Sequence, residues 1–144
     1  MVDRHDYVAL EWVKGDIADT LKQARVALGE DGQPPTAQML EQCLDCIHQV
    51  HGSLLMVEFY GAALLAEEME KLVIALQQGR VSQLDEALRL LQQAFRQLPL
   101  YLDRVCSARR DWPLVVLPLI NDLRTARGEA LLSETSLLSP PLQH

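Results

Sequence analysis

The stretch Leu40–Val57, LEQCLDCIHQVHGSLLMV, decides the fold. Its apolar residues Leu40, Cys43, Ile47, Val50, Leu54 and Val57 step by three or four. At about 100° per residue that spacing lines them along one face of an α-helix. Working outward, the preceding loop GEDGQPP (Gly29–Pro35) leaves Thr36 placed to cap this helix. Upstream of the loop, Leu10, Val13, Ile17, Leu21, Ala24 and Leu28 form a second stripe with the same period. Downstream, Glu58–Gly61 reads as a tight connection, with Gly61 in the turn or already inside the next helix. A third stripe (Ala62, Leu65, Met69, Leu72, Leu76) stops at Gly79, as a helix C-terminus does. Ser82 with Asp85 has the form of an N-terminal cap, opening the run Leu84, Leu88, Leu91, Phe95, Leu98, Leu102, Val105. Pro99 lies inside that run and predicts a kink or break there. Asp111 caps a last, shorter helix with Pro113 near its first turn, carrying Leu117, Ile120 and Leu123 and ending near Gly128.

No segment alternates with period two for any useful length. The expected fold is therefore all-α, an antiparallel four-helix bundle with an additional C-terminal helix. Residues 1–132 form the bundle, and 133–144 (SETSLLSPPLQH) have the composition of a linker toward a longer protein.

Composition narrows the function. The 144 residues suit one domain with a full apolar core. Thirteen Lys and Arg face 20 Asp and Glu, a formal charge of −7, and no basic stripe is present, so nucleic acid is excluded as a partner. The longest apolar run, Trp112–Ile120, holds two prolines and is far short of the roughly 20 residues of a membrane span. Three cysteines, an odd number, read as reduced thiols in a cytoplasmic protein and not as a disulfide framework.

Two of the four histidines share the second helix. His48 sits about 100° from Ile47 at the centre of the apolar stripe, and about 140° from Cys43, so it points away from the core. His51 lies about 60° from His48, toward the border of the stripe. One turn beyond His48 on the same face stands Gly52, which costs about 1 kcal/mol in a helix interior relative to Ala. A glycine beside an exposed imidazole gives another protein, or a phosphoryl group, room to approach closely.

His48-Gln49-Val50-His51-Gly52-Ser53 resembles the H-x-[LIV]-K-G-[SAG] motif of histidine phosphotransfer (Hpt) domains, the helical bundles of bacterial phosphorelays. Glu70, 22 residues on, stands where the chemotaxis-kinase phosphoacceptor domain carries a glutamate that hydrogen-bonds the acceptor imidazole. Longer segments, Asp3–Gly15, Met56–Glu70 and Val115–Arg124, resemble the N-terminal region of the large hybrid kinase of the Chp/Pil chemosensory system (ChpA, also called PilL), to which the scaffold protein FimL is related. The resemblance implies a phosphorelay that controls type IV pili and twitching motility, with His48 as phosphoacceptor, Glu70 orienting it, Gly52 providing clearance and His51 bordering the phosphate. It implies CheY-like receiver domains as partners, with Mg²⁺ held on the receiver side, together with the kinase core of the same protein and other pilus chemosensory proteins. No cofactor of its own is implied, and no glycine-rich nucleotide loop is present. Two positions depart from the pattern: His51 replaces the usual lysine three residues after the acceptor, and Glu58 replaces a glycine ten residues after it. Both weaken phosphate handling, and the competing reading is a scaffold or docking domain without chemistry. A helical dimerisation domain is a third.

Cys43, Cys46, His48 and His51 also spell C-x₂-C-x-H-x₂-H. On one helix these four span about 200° of arc and do not converge on one ion, so no metal site is expected from them.

Overall fold

The computed structural model describes residues 7–29, 33–108 and 113–135. Five helices follow one another: α1 (Tyr7–Leu28), α2 (Ala37–Met56), α3 (Tyr60–Gln77), α4 (Leu84–Ala108) and α5 (Pro113–Ala126). Short connections make successive helices antiparallel. α1 packs on α2 and α4, α2 on α3, and the shorter α5 lies against α3 and α4. This is the four-helix bundle with an added C-terminal helix that the apolar spacing predicts.

All six residues of the α2 stripe, Leu40 to Val57, are buried. The cap is as expected: the Thr36 hydroxyl oxygen accepts the backbone N–H of Met39 at 3.1 Å. α3 is the central helix, buried on most sides through Ala62, Ala63, Leu65, Ala66, Met69, Leu72 and Val73. Its small residues permit close approach. Gly61, inside α3, faces Pro113 so closely that an added Cβ would stand 3.0 Å from the proline Cβ.

A buried ion cluster ties α3 to α5. The Glu68 side chain is almost fully enclosed and accepts from Arg124 Nη1 at 2.7 Å and Arg127 Nη2 at 3.0 Å. Beyond α5 the chain folds back: Asn121 exchanges two hydrogen bonds with Leu132, and Arg124 Nε donates to the Ala130 carbonyl.

Three sequence expectations need correction. Pro99 does not break α4, which runs unbroken from Leu84 to Ala108. The proline removes one backbone donor, and buried Phe95, Leu98 and Leu102 hold the helix to the core on both sides of it. Ser82 and Asp85 do not form the expected cap, because α4 starts at Leu84 and the Ala87 N–H bonds the Gln83 carbonyl, leaving Gln83 at the cap position. The first turn of that helix is also less buried than its spacing suggests. Leu84 is exposed and Leu88 half-buried, while Ala87, Leu90 and Leu91 face the core. Asp111 and residues 136–144 lie outside the described residues.

Candidate functional site

The α2–α3 hairpin turns at Val57 and Glu58. Glu58 adopts a left-handed φ of 65°, the backbone region that favours glycine. Here a glutamate carries that strain.

In a helical hairpin, residues at similar distances from the turn face each other. His48 lies ten positions before Glu58 and Glu70 twelve after it, so α3 brings Glu70 across to α2. His48 Nδ1 lies 2.6 Å from Glu70 Oε2. His51 Nδ1 lies 2.8 Å from the other carboxylate oxygen, Oε1. One carboxylate thus holds two imidazoles, whose ring centroids stand 6.4 Å apart at 79°. An ionised carboxylate only accepts hydrogen bonds, so each Nδ1 is the donor. In each neutral ring the lone pair then resides on Nε2.

Burial separates the two rings. The His48 side chain is 74% exposed, whereas those of His51 and Glu70 are 19% and 15% exposed. The carboxylate is therefore sheltered, His51 closes one flank, and His48 projects to solvent with Nε2 free. This suits a nucleophile: the hydrogen bond at Nδ1 fixes the tautomer and raises the basicity of the opposite nitrogen. Among the described residues no Lys or Arg pairs with Glu70. Gly52 is exposed, and an added Cβ there would meet nothing within 4 Å. The fold itself does not require a glycine at that position.

The structure thus brings together His48, His51 and Glu70, with Gly52 one turn beyond His48 on the same helix, where an added Cβ would meet neither the His48 nor the Glu70 side chain. The bond between His51 and Glu70 was missed by the sequence reading, although the hairpin register carried its signal: His51 is one turn beyond His48 on the flank facing α3. The Cys/His set does not assemble. Cys43 is buried in the core, where its thiol is pushed up to about 12, chiefly by burial and then by neighbouring Cys46. Cys46 is half-buried and raised as well, by burial and by Asp45. Among the described residues, the group whose donor atoms lie close together is His48, His51 and Glu70.

The five-helix bundle thus presents one exposed histidine oriented by a carboxylate from the neighbouring helix. The chain belongs to the Hpt domain family, whose sequence profile matches residues 8–108. It is also 30% identical over 135 residues to the scaffold protein FimL of Pseudomonas aeruginosa, covering 93% of this chain and 24% of that protein. The chain therefore spans about a quarter of the length of this curated relative. No solved structure matches it. Among the described residues no helix is long and apolar enough to cross a membrane.

Proposed function

We propose that the chain is a working phosphoacceptor in a bacterial phosphorelay, with His48 receiving the phosphoryl group. The carrying observation is the 2.6 Å contact between Glu70 and Nδ1 of an otherwise exposed His48. His48 Nε2 attacks the phosphorus of a donor; the N–P bond forms as the bond from phosphorus to the donor's oxygen or nitrogen breaks, and the donor keeps that electron pair. Nε2 carries no proton to lose, and Nδ1–H stays on Glu70 throughout. Gly52 leaves the donor room. The partners in this reading are CheY-like receiver domains and a kinase core. The resemblance of residues 3–15, 56–70 and 115–124 to the Chp/Pil hybrid kinase supports, within this proposal, type IV pilus control and twitching motility as the process served, in the cytoplasm, with residues 133–144 as a linker.

Docking without chemistry is the second reading, and two observations favour it. His51 stands where Hpt domains usually carry a cation, and the FimL relative is called a scaffold protein. Leu55, seven residues after His48 and on the same face, is exposed, as is Met56 beside it, so apolar contact area adjoins the histidine.

The test is phosphoryl transfer to the 144-residue chain from the kinase core with ATP and Mg²⁺, run beside His48→Gln. Acid-labile, alkali-stable label on the wild type alone supports the first reading. No label, while a standard Hpt domain is labelled in the same run, reduces the chain to docking.

A further inference from the structure

The replacement of the usual lysine by His51 changes what this cluster can bind. A lysine would place an ammonium donor beside Glu70; His51 places a second imidazole there. His48, His51 and Glu70 then form a two-histidine, one-carboxylate set whose donor atoms all lie within 4.8 Å of one another. We infer that these three residues form a binding site for a divalent transition-metal ion of the zinc type, open on its solvent side.

The donor chemistry points to this class of ion. Imidazole nitrogen with one carboxylate suits Zn²⁺ and its neighbours and is a poor set for Mg²⁺ or Ca²⁺, which take oxygen. Zn²⁺ has no geometric demand of its own and binds imidazole nitrogen and carboxylate oxygen at roughly 2.0–2.2 Å. Tetrahedral donors at that distance stand about 3.3 Å apart, so the widest pair must close by up to about 1.5 Å while the two contacts to Glu70, now 2.6 and 2.8 Å, open by roughly half an ångström. The mobile partner for that movement is His48, the exposed ring. His51 and Glu70 are already sheltered and held at 2.8 Å from each other. Three protein donors leave a fourth position for water, the arrangement of an open site. The thiols nearby do not join the set, because Cys43 is enclosed in the core and neither cysteine belongs to the group whose donor atoms lie together.

A consequence follows that rests on the phosphoacceptor reading. A metal bound at Nδ1 displaces the hydrogen bond to Glu70, and the ring proton moves to Nε2. The lone pair that attacks phosphorus is then occupied. Metal and phosphoryl group are mutually exclusive at His48.

The experiment titrates the 144-residue chain with Zn²⁺ against a chromophoric chelator, with Co²⁺ as a spectroscopic probe. We expect one ion per chain at micromolar or tighter affinity, with nitrogen–oxygen coordination bands and no thiolate charge-transfer band. His48→Gln, His51→Gln and Glu70→Gln should each weaken binding by about 100-fold or more, since loss of even an outer-shell partner costs 10- to 100-fold. Cys46→Ser should bind as the wild type does. His48 is exposed, so its variant tests the site without touching the core. Binding no tighter than millimolar, retention in His48→Gln or loss in Cys46→Ser each overturns the site. For the competition, labelling with and without Zn²⁺ is compared in wild type and His51→Gln. Slowing of the wild type alone supports it, and equal slowing of both overturns it. A wild type that never labels refutes the phosphoacceptor reading, while the titration still decides the metal site.

Discussion

Gly52 separates stability from function, because its absence of a side chain serves nothing inside the molecule. It lies in the interior of α2, is exposed, and an added Cβ meets no atom within 4 Å. Gly52→Ala removes the helix-interior entropy cost of glycine and should stabilise the chain by about 0.5–1 kcal/mol. For a domain of this size that is a rise of roughly 1–4 °C in Tm. Gly52→Leu adds a side chain that leans toward the helix N-terminus and so covers the turn holding His48. That variant should melt no lower than the wild type, yet its labelling rate should fall by about 100-fold, the scale of a 1 Å misplacement at a reacting centre. The assays are thermal unfolding by circular dichroism and the initial rate of phosphoryl transfer. Wild-type labelling by Gly52→Leu would refute approach of the donor over this face, and a lowered Tm for Gly52→Ala would refute the claim that the fold has no use for the glycine.

Glu58→Gly should stabilise the chain by about 0.5–1 kcal/mol in urea unfolding, the 1–2 kcal/mol relief of a left-handed residue less the entropy of a more flexible unfolded chain. Glu68→Ala leaves Arg124 and Arg127 facing an apolar gap between α3 and α5 and should cost roughly 3–5 kcal/mol in the same assay. In thiol titration at pH 8, Cys46 should react first. Cys106, pushed up to about 11 mainly by burial, and Cys43, at about 12, should react only in denaturant; prompt reaction of all three would contradict the core packing.

The fold was legible because α2 and α3 repeat their apolar residues with few interruptions, and burial follows period wherever a helix has a core on one side. The misreadings share a cause. The continuity of α4 through Pro99 and its start at Leu84 depend on what neighbouring helices cover, which one segment's spacing does not contain. The position of Glu70 against His48 came from resemblance, and the hairpin geometry accounts for it. The second bond, from His51 to the other oxygen, needed the register of α3 against α2. For the same reason the spacing along α2 alone pairs the histidines with Cys43 and Cys46, and the glutamate that meets them lies on the next helix.

Whether His51 abolishes phosphotransfer or only slows it is a question of magnitude. The two rings are 6.4 Å apart, so a cation at position 51 acts on a phosphoryl group at His48 from about that distance or a little more. Two unit charges so separated interact by about 0.6–0.7 kcal/mol in water, and a doubly charged phosphoryl group doubles this to about 1.3 kcal/mol. His48 is largely exposed, which keeps the effective dielectric near that of water and the figure near its lower bound. That energy corresponds to about one factor of ten, far below what loss of the nucleophile would bring. His51→Lys should therefore raise the labelling rate roughly tenfold at low ionic strength, with the gain shrinking toward 1 M salt as the Debye length falls to about 3 Å. It should also remove the Zn²⁺ site, since an ammonium group cannot ligate. An increase of several hundredfold would mean that His51 obstructs the acceptor by some means other than its missing charge. No increase at any salt would mean that the usual lysine acts through contact with the donor protein and not through the field at His48.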